Sequence, residues 1–250
     1  MQNSTTTASE VTAVNDLDPE RIEEVRGVAA VFGFLSRCIE EEADADLINL
    51  VRGDLRSSLA AAGVIFDDAF YDIPTASLVE TLAEEYTGLF VAPGCVSPYA
   101  SVVATGCMFK QQADRAINAY HHAGWDYQHR LSGEFPDHIG TMLGFYANLG
   151  EAEAEALTQG DSARADEVKS MREEFLLRQL AEWGPGWCRR AAKAAFHPFY
   201  HRLLQMTEQA LWLELEQLVD RRRLRELAEL NQREPKRLDY DADFRKASGL

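Results

Sequence analysis

Residues 134–149 read Glu-Phe-Pro-Asp-His-Ile-Gly-Thr-Met-Leu-Gly-Phe-Tyr-Ala-Asn-Leu. Pro136 suits the first position of a helix, where a missing N–H costs nothing and φ is already set. Behind it Ile139, Met142, Leu143, Phe145, Tyr146 and Leu149 recur at steps of three and four, the spacing of one buried helical face. The stretch therefore predicts a helix opened by proline, with Asp137 and His138 in its first turn. The positive end of the helix dipole accounts for the acid, and a place in the core or at its boundary accounts for the imidazole.

The same periodicity extends outward in both directions. Asp18-Pro19 forms a cap and first turn, followed by a face of Ile22, Val25, Ala29, Phe32 and Leu35. Leu47, Leu50, Val51, Leu55 and Leu59 predict one helix up to Gly63, and Leu78, Leu82, Tyr86, Leu89 and Phe90 another after Pro74. Pro93-Gly94 and Pro98 predict a loop from Val91 to Thr105. Helical composition returns from about Met108 to His129, and Gly133 to Pro136 breaks it. Residues 150–161 read as a connection or a solvated helix end. Val168, Met171, Phe175 and Leu180 to Trp183 form a further helix, stopped by Gly184-Pro185-Gly186. Residues 191–230 are helix-compatible apart from a break at His197-Pro198. No stretch alternates convincingly between apolar and polar. The prediction is an all-α, single-domain helical bundle over residues 19–232, in one lobe or in two joined by the loop around residues 130–136. Tails at 1–18 and 233–250 lack periodicity and are expected to be disordered or frayed.

Composition narrows the function. No apolar run approaches the roughly 20 residues that span a bilayer, and residues 1–18 lack the charged start and apolar core of a secretory signal. A soluble, cytoplasmic protein without stable membrane insertion is expected. Four scattered cysteines, Cys38, Cys95, Cys107 and Cys188, indicate neither a zinc site nor a disulfide framework. A formal charge of -16 repels phosphate backbones, arguing against nucleic acid, and favours a cationic partner. The sequence contains no G-x-S-x-G elbow, no phosphate or dinucleotide loop and no H-E-x-x-H, which argues against a hydrolase, kinase or dinucleotide enzyme. Among the six histidines, His197 and His201 lie one turn apart, and His121, His122 and His129 crowd one region. With Asp137 and His138 these make a helical metal-dependent enzyme the alternative. An adaptor without peptide specificity is a third reading.

A second unusual segment runs from Glu85-Tyr86-Thr87-Gly88-Leu89-Phe90 through Pro93-Gly94 to Pro98-Tyr99-Ala100-Ser101-Val102. Aromatic residues at a helix end, followed by a loop stiffened by proline, suit gripping an apolar peptide. A plain interhelical loop with Tyr86, Leu89 and Phe90 in the core is the competing explanation. Because Leu89 and Phe90 are adjacent, the two are expected to point to different places.

At these residues the sequence resembles the TorD/DmsD family of cytoplasmic redox-enzyme maturation chaperones, related to NarJ. The resemblance is carried by Tyr86, Leu89-Phe90, Pro93-Gly94, Pro98 and Ser101-Val102, then Glu134-Phe135-Pro136-Asp137-His138, then Phe199-Tyr200. It implies an all-α chaperone of the TorD-like type, without catalytic turnover or a cofactor of its own. Such a chaperone binds the twin-arginine signal peptide, or a related N-terminal segment, of the catalytic subunit of a molybdopterin-dependent oxidoreductase. It holds that enzyme back from export until its cofactor is inserted. The binding residues the resemblance implies are Tyr86, Phe90, Pro93, Pro98, Tyr99 and Ser101 on the loop, with Glu134, Asp137 and His138 at the polar site. Relatives that exchange helical lobes make a monomer or a domain-swapped dimer the expected states. A cationic pair followed by an apolar stretch calls for carboxylates beside an apolar groove.

Overall fold

A computed structural model describes residues 19–92, 94–128 and 135–236. Among these residues the chain forms twelve α-helices, two π-helical turns and no strand. The first half holds α1 (Pro19–Glu40), α2 (Ala45–Arg52), α3 (Arg56–Ala61), α4 (Asp68–Asp72), α5 (Thr75–Tyr86), α6 (Ala100–Thr105) and α7 (Gln111–His122). The second half holds α8 (Ile139–Thr158), α9 (Ser162–Phe175), α10 (Gly184–Ala194), α11 (Pro198–Leu218) and α12 (Arg221–Leu230). The all-α prediction holds. The expected tail at 1–18, residues 237–250 of the tail expected at 233–250, residues 130–134 of the lobe-joining loop expected around 130–136, Pro93 and His129 lie outside the described residues, as does Glu134.

The centre of the bundle is the pair α1 and α8, on which α9 and α11 also pack. Both helices carry the apolar faces read from the sequence: Phe32 and Leu35 on one, Ile139, Met142 and Leu143 on the other, all buried. Glycine permits their close approach. A Cβ on Gly140 would lie 2.8 Å from Glu40 Cβ, and one on Gly144 would lie 2.8 Å from Ser36 Oγ. The Ser36 hydroxyl donates to the Gly140 carbonyl across the same seam, at 2.8 Å.

An ionic cluster sits beside this apolar seam. Arg172 of α9 donates to Glu153 Oε2 of α8 at 3.1 Å and to the Tyr146 hydroxyl at 2.7 Å, and lies 3.3 Å from Glu214 of α11. Tyr146 donates to Glu214 at 2.5 Å, and Arg21 of α1 reaches the other Glu153 oxygen at 3.3 Å. Four helices are thus pinned through charges removed from water, an arrangement in which losing one partner costs far more than the pair contributes. Residues 150–161 are accordingly no mere connection: α8 runs on to Thr158, burying Glu153, Ala154, Ala156 and Leu157.

Three further boundaries differ from expectation. The helix predicted over 47–59 is two, because the chain turns at Gly53 to Leu55 between α2 and α3. The helical segment before Gly184-Pro185-Gly186 ends at Leu180, as expected, but the same three residues also begin α10, since proline is accepted in a first turn. A second break at Val219-Asp220 separates α11 from α12, where the Asp220 carboxylate accepts from Arg223 N at 2.8 Å. Asparagine 231 then docks α12 onto α10, its side chain accepting from Gly186 N at 2.7 Å and donating to the Ala181 carbonyl at 2.8 Å.

Candidate functional site

The two unusual segments meet. Asp137 accepts from Ser101 N through its carboxylate at 2.7 Å and from Ala100 N through its backbone carbonyl at 3.0 Å. Ile139 N donates back to the Pro98 carbonyl at 2.9 Å, and Tyr99 and His138 pair as an isolated antiparallel bridge. Residues 98–101 and 137–139 therefore form one backbone clamp.

This clamp relocates the helix start. Phe135 to His138 form a turn closed by His138 N donating to the Phe135 carbonyl at 3.0 Å, so α8 begins at Ile139, not at Pro136. His138 is its N-cap, with Nδ1 accepting from Gly140 N at 3.1 Å. That bond requires an unprotonated Nδ1. Burial lowers the pKa of His138 to about 4, so the ring is neutral near pH 7. Asp137 does stand at a helix N-terminus, but at that of α6. Both residues and Ser101 are buried, and their polar groups named here are spent inside the chain.

Tyr86 and Phe90 are also interior. The Tyr86 hydroxyl donates to the carbonyls of Glu40 at 2.8 Å and Ile39 at 3.2 Å, satisfying the C-terminal end of α1. Phe90 lies 5.7 Å from the Trp187 ring, nearly parallel to it, and edge-on to Tyr200 at 6.0 Å. Trp187 donates its indole N–H to the Ser97 carbonyl at 2.8 Å, tying the loop to α10. Leu89 and Phe90, in the π-helical turn Thr87–Val91, are both buried but point to different places as expected, Leu89 to a surface groove and Phe90 to Trp187 and Tyr200. Pro98 is buried and Tyr99 half-buried.

Surface remains at two places near these segments. Tyr99, Phe135 and Phe109 form a ledge, with ring centroids 5.5 Å apart for the first pair and 4.4 Å for Phe135 and Phe109. Phe109 is 71% exposed. On the other side of the π turn lies a groove of about 440 Å³, with Leu89, Cys95, Val96, Ala194 and Phe196 on its walls and Glu84 at its rim. Phe196 is 96% exposed, held out because the Glu85 carboxylate accepts from Phe196 N at 2.7 Å and from His197 N at 2.8 Å. Phe196, Glu84, Phe109, Tyr120 and Trp187 escaped the sequence reading. A phenylalanine immediately before the His197-Pro198 helix start was the available signal for the first.

The histidines are dispersed among structural tasks. His197 caps α11, accepting from Phe199 N at 3.1 Å; His201 Nδ1 lies 2.8 Å from the Ala192 carbonyl; His121 lies 3.6 Å from Asp126. Among the described residues no three His, Cys, Asp or Glu side chains converge as a metal site. No helix of the described residues is long and apolar enough to cross a membrane. The four cysteines are free thiols.

A family model described as nitrate reductase delta subunit matches residues 52–189, more than half of the chain. The match takes in both segments of the clamp and ends before Phe199-Tyr200. No curated protein matches the chain.

Proposed function

We propose a function from the premise that this chain belongs to the nitrate reductase delta subunit family, chaperones of molybdoenzyme maturation that act on the catalytic subunit. The finer reading is that it binds the twin-arginine signal peptide, or a related N-terminal segment, of one molybdopterin-dependent oxidoreductase in the cytoplasm. It holds that subunit back from export until the cofactor is inserted.

The observation that carries this reading is the groove beside the π-helical turn. A fully exposed phenylalanine facing Leu89 and Val96, with the Glu84 carboxylate on the rim, supplies an apolar slot next to negative charge. A cationic pair followed by an apolar run is complementary to both. In this account Tyr86, Phe90, Pro98, Ser101, Asp137 and His138 hold the walls in position, since their side chains are buried. Tyr99 contributes at the aromatic ledge. Pro93 and Glu134, outside the described residues, stay proposed as binding residues on the resemblance alone.

Calorimetric titration of the full chain tests the groove, using a synthetic peptide of two arginines followed by roughly a dozen apolar residues. Phe196→Ser is expected to weaken binding about tenfold or more, about 1.4 kcal/mol, with helicity unchanged. Glu84→Lys is expected to weaken it and to flatten its dependence on salt. Unchanged affinity in both variants overturns the groove as the binding site.

A further inference from the structure

A second groove carries the opposite charge to the first. Two hollows, of about 900 and 270 Å³, share Arg115, Arg178, Gln179 and Glu182 in their walls and so form one channel. Phe145, Leu149, Met171, Phe175 and Leu177 floor the larger hollow. Arg115, Arg178, Arg190, Arg223, Arg233 and Lys236 stand along the channel against Glu174, Glu182 and Glu234. Two of these cations are already matched: Arg178 pairs with Glu174 at 3.0 Å and Arg223 with Glu182 at 2.9 Å. Arg115, Arg190, Arg233 and Lys236 make no ion pair among the described residues. In a chain with 41 acidic against 25 basic side chains, such an excess of cations is a local reversal of sign.

The smaller hollow also holds unmet hydrogen-bonding capacity. Arg190 Nε, a donor, and Gln112 Oε1, an acceptor, are buried without a partner among the described residues. Burial draws the Arg190 guanidinium below the ordinary arginine pKa, as befits a cation short of counter-charge. A buried polar atom without a partner is costly, so a ligand that supplies both partners gains by it. An extended peptide backbone offers a carbonyl and an N–H at every residue, whereas a helix arrives with its own already bonded. A compact polyanion offers no apolar surface to the floor and meets Glu182 and Glu234 in the walls.

We propose that this channel binds an extended acidic segment of another protein, with apolar side chains on the floor at Met171 and Leu177 and carboxylates facing Arg115, Arg178 and Arg190. Side chains of an extended strand alternate between two faces, so the matching segment alternates acidic with apolar residues. The exposed pair of Arg178 with Glu174 contributes little and exchanges readily for a new partner. A second copy of this chain is disfavoured as the occupant, since two molecules of charge -16 repel each other before they touch. The inference is independent of the client-binding reading above, whose groove is lined by different residues and takes a segment of opposite charge.

Calorimetric titration of the full chain with a synthetic peptide of about ten residues, aspartate alternating with leucine or phenylalanine, tests it. The expected result is saturable binding that weakens as salt is raised. Replacing the peptide's aspartates by asparagine, or reversing charge in the double variant Arg115→Glu with Arg178→Glu, is expected to weaken binding about tenfold or more at unchanged helicity. Gln112→Leu, which removes the waiting acceptor, is expected to weaken it roughly threefold. No saturable binding, an affinity untouched by the charge reversal, or tripolyphosphate binding as tightly as the peptide each overturns the proposal. So does sedimentation of the chain alone that reveals a dimer dissolved by the charge reversal, which would place a second copy in the channel.

Discussion

At the scale of single residues, the Asp137-His138 pair shows how a conspicuous polar motif can be structural. Asp137 spends its carboxylate on Ser101 N and His138 spends Nδ1 on Gly140 N. Asp137→Ala leaves a buried N–H without its acceptor and is expected to cost about 1–3 kcal/mol. Asp137→Asn keeps an acceptor oxygen and is expected to cost less. Urea melts at pH 7 check the order, and equal losses in the two variants would contradict the hydrogen bond's role. His138 adds a pH dependence of defined sign. Its pKa in the fold is about 4 against an ordinary 6.5, so the unfolded chain binds the extra proton between those values. The neutral ring's contribution is complete above pH 6.5 and falls away as the pH drops to 4, by a total of about 3 kcal/mol. His138→Asn retains a capping side chain without the titration. The difference in stability between wild type and this variant is expected to shift against the wild type on acidification from pH 7 to 4.5. A constant difference would exclude His138 as its source.

At the scale of elements, helices with an uninterrupted apolar face were legible in the sequence: α1, α5 and the body of α8 lie where the three-and-four spacing puts them. The failures have local causes. Pro136 fits a first helical turn as well as the tight turn it occupies, and only the distant partners Ala100 and Ser101 decide which. The Arg172 cluster was invisible because Glu153, Tyr146 and Glu214 come together only when α8, α9 and α11 are packed. Arg172→Ala leaves the nearly inaccessible Glu153 with only Arg21, and is expected to destabilise the fold by about 3 kcal/mol in a urea melt. Gly186 is a second such position. A Cβ there would lie 2.2 Å from the Asn231 carbonyl oxygen, so Gly186→Ala is expected to unseat α12. Amide exchange should then rise over residues 221–230 while α1 and α8 stay protected, and uniform protection would refute the docking role of Asn231.

At the scale of the molecule, the family and the all-α architecture were readable from motifs in order along the chain. How the site divides its work was not. The motif residues read as binding groups are mostly buried, and in the proposed function they are the frame, with the accessible chemistry on neighbours without a motif, Phe196 and Glu84 at one groove and Phe109 at a ledge. A frame buried on both walls still makes sense of the motif, because a loop can offer a shaped apolar slot only if its backbone is held. The negative charge of the whole molecule adds attraction for a cationic segment and predicts association that weakens as salt is raised. The most direct measurement of the central claim is capture of the tagged full chain from its own cells, with identification of what binds and whether the bound subunit carries its cofactor. The account predicts one catalytic subunit of a molybdopterin-dependent oxidoreductase, cofactor-free, and loss of capture when that subunit's N-terminal segment is deleted. Capture of no such subunit, or capture indifferent to that deletion, would contradict it.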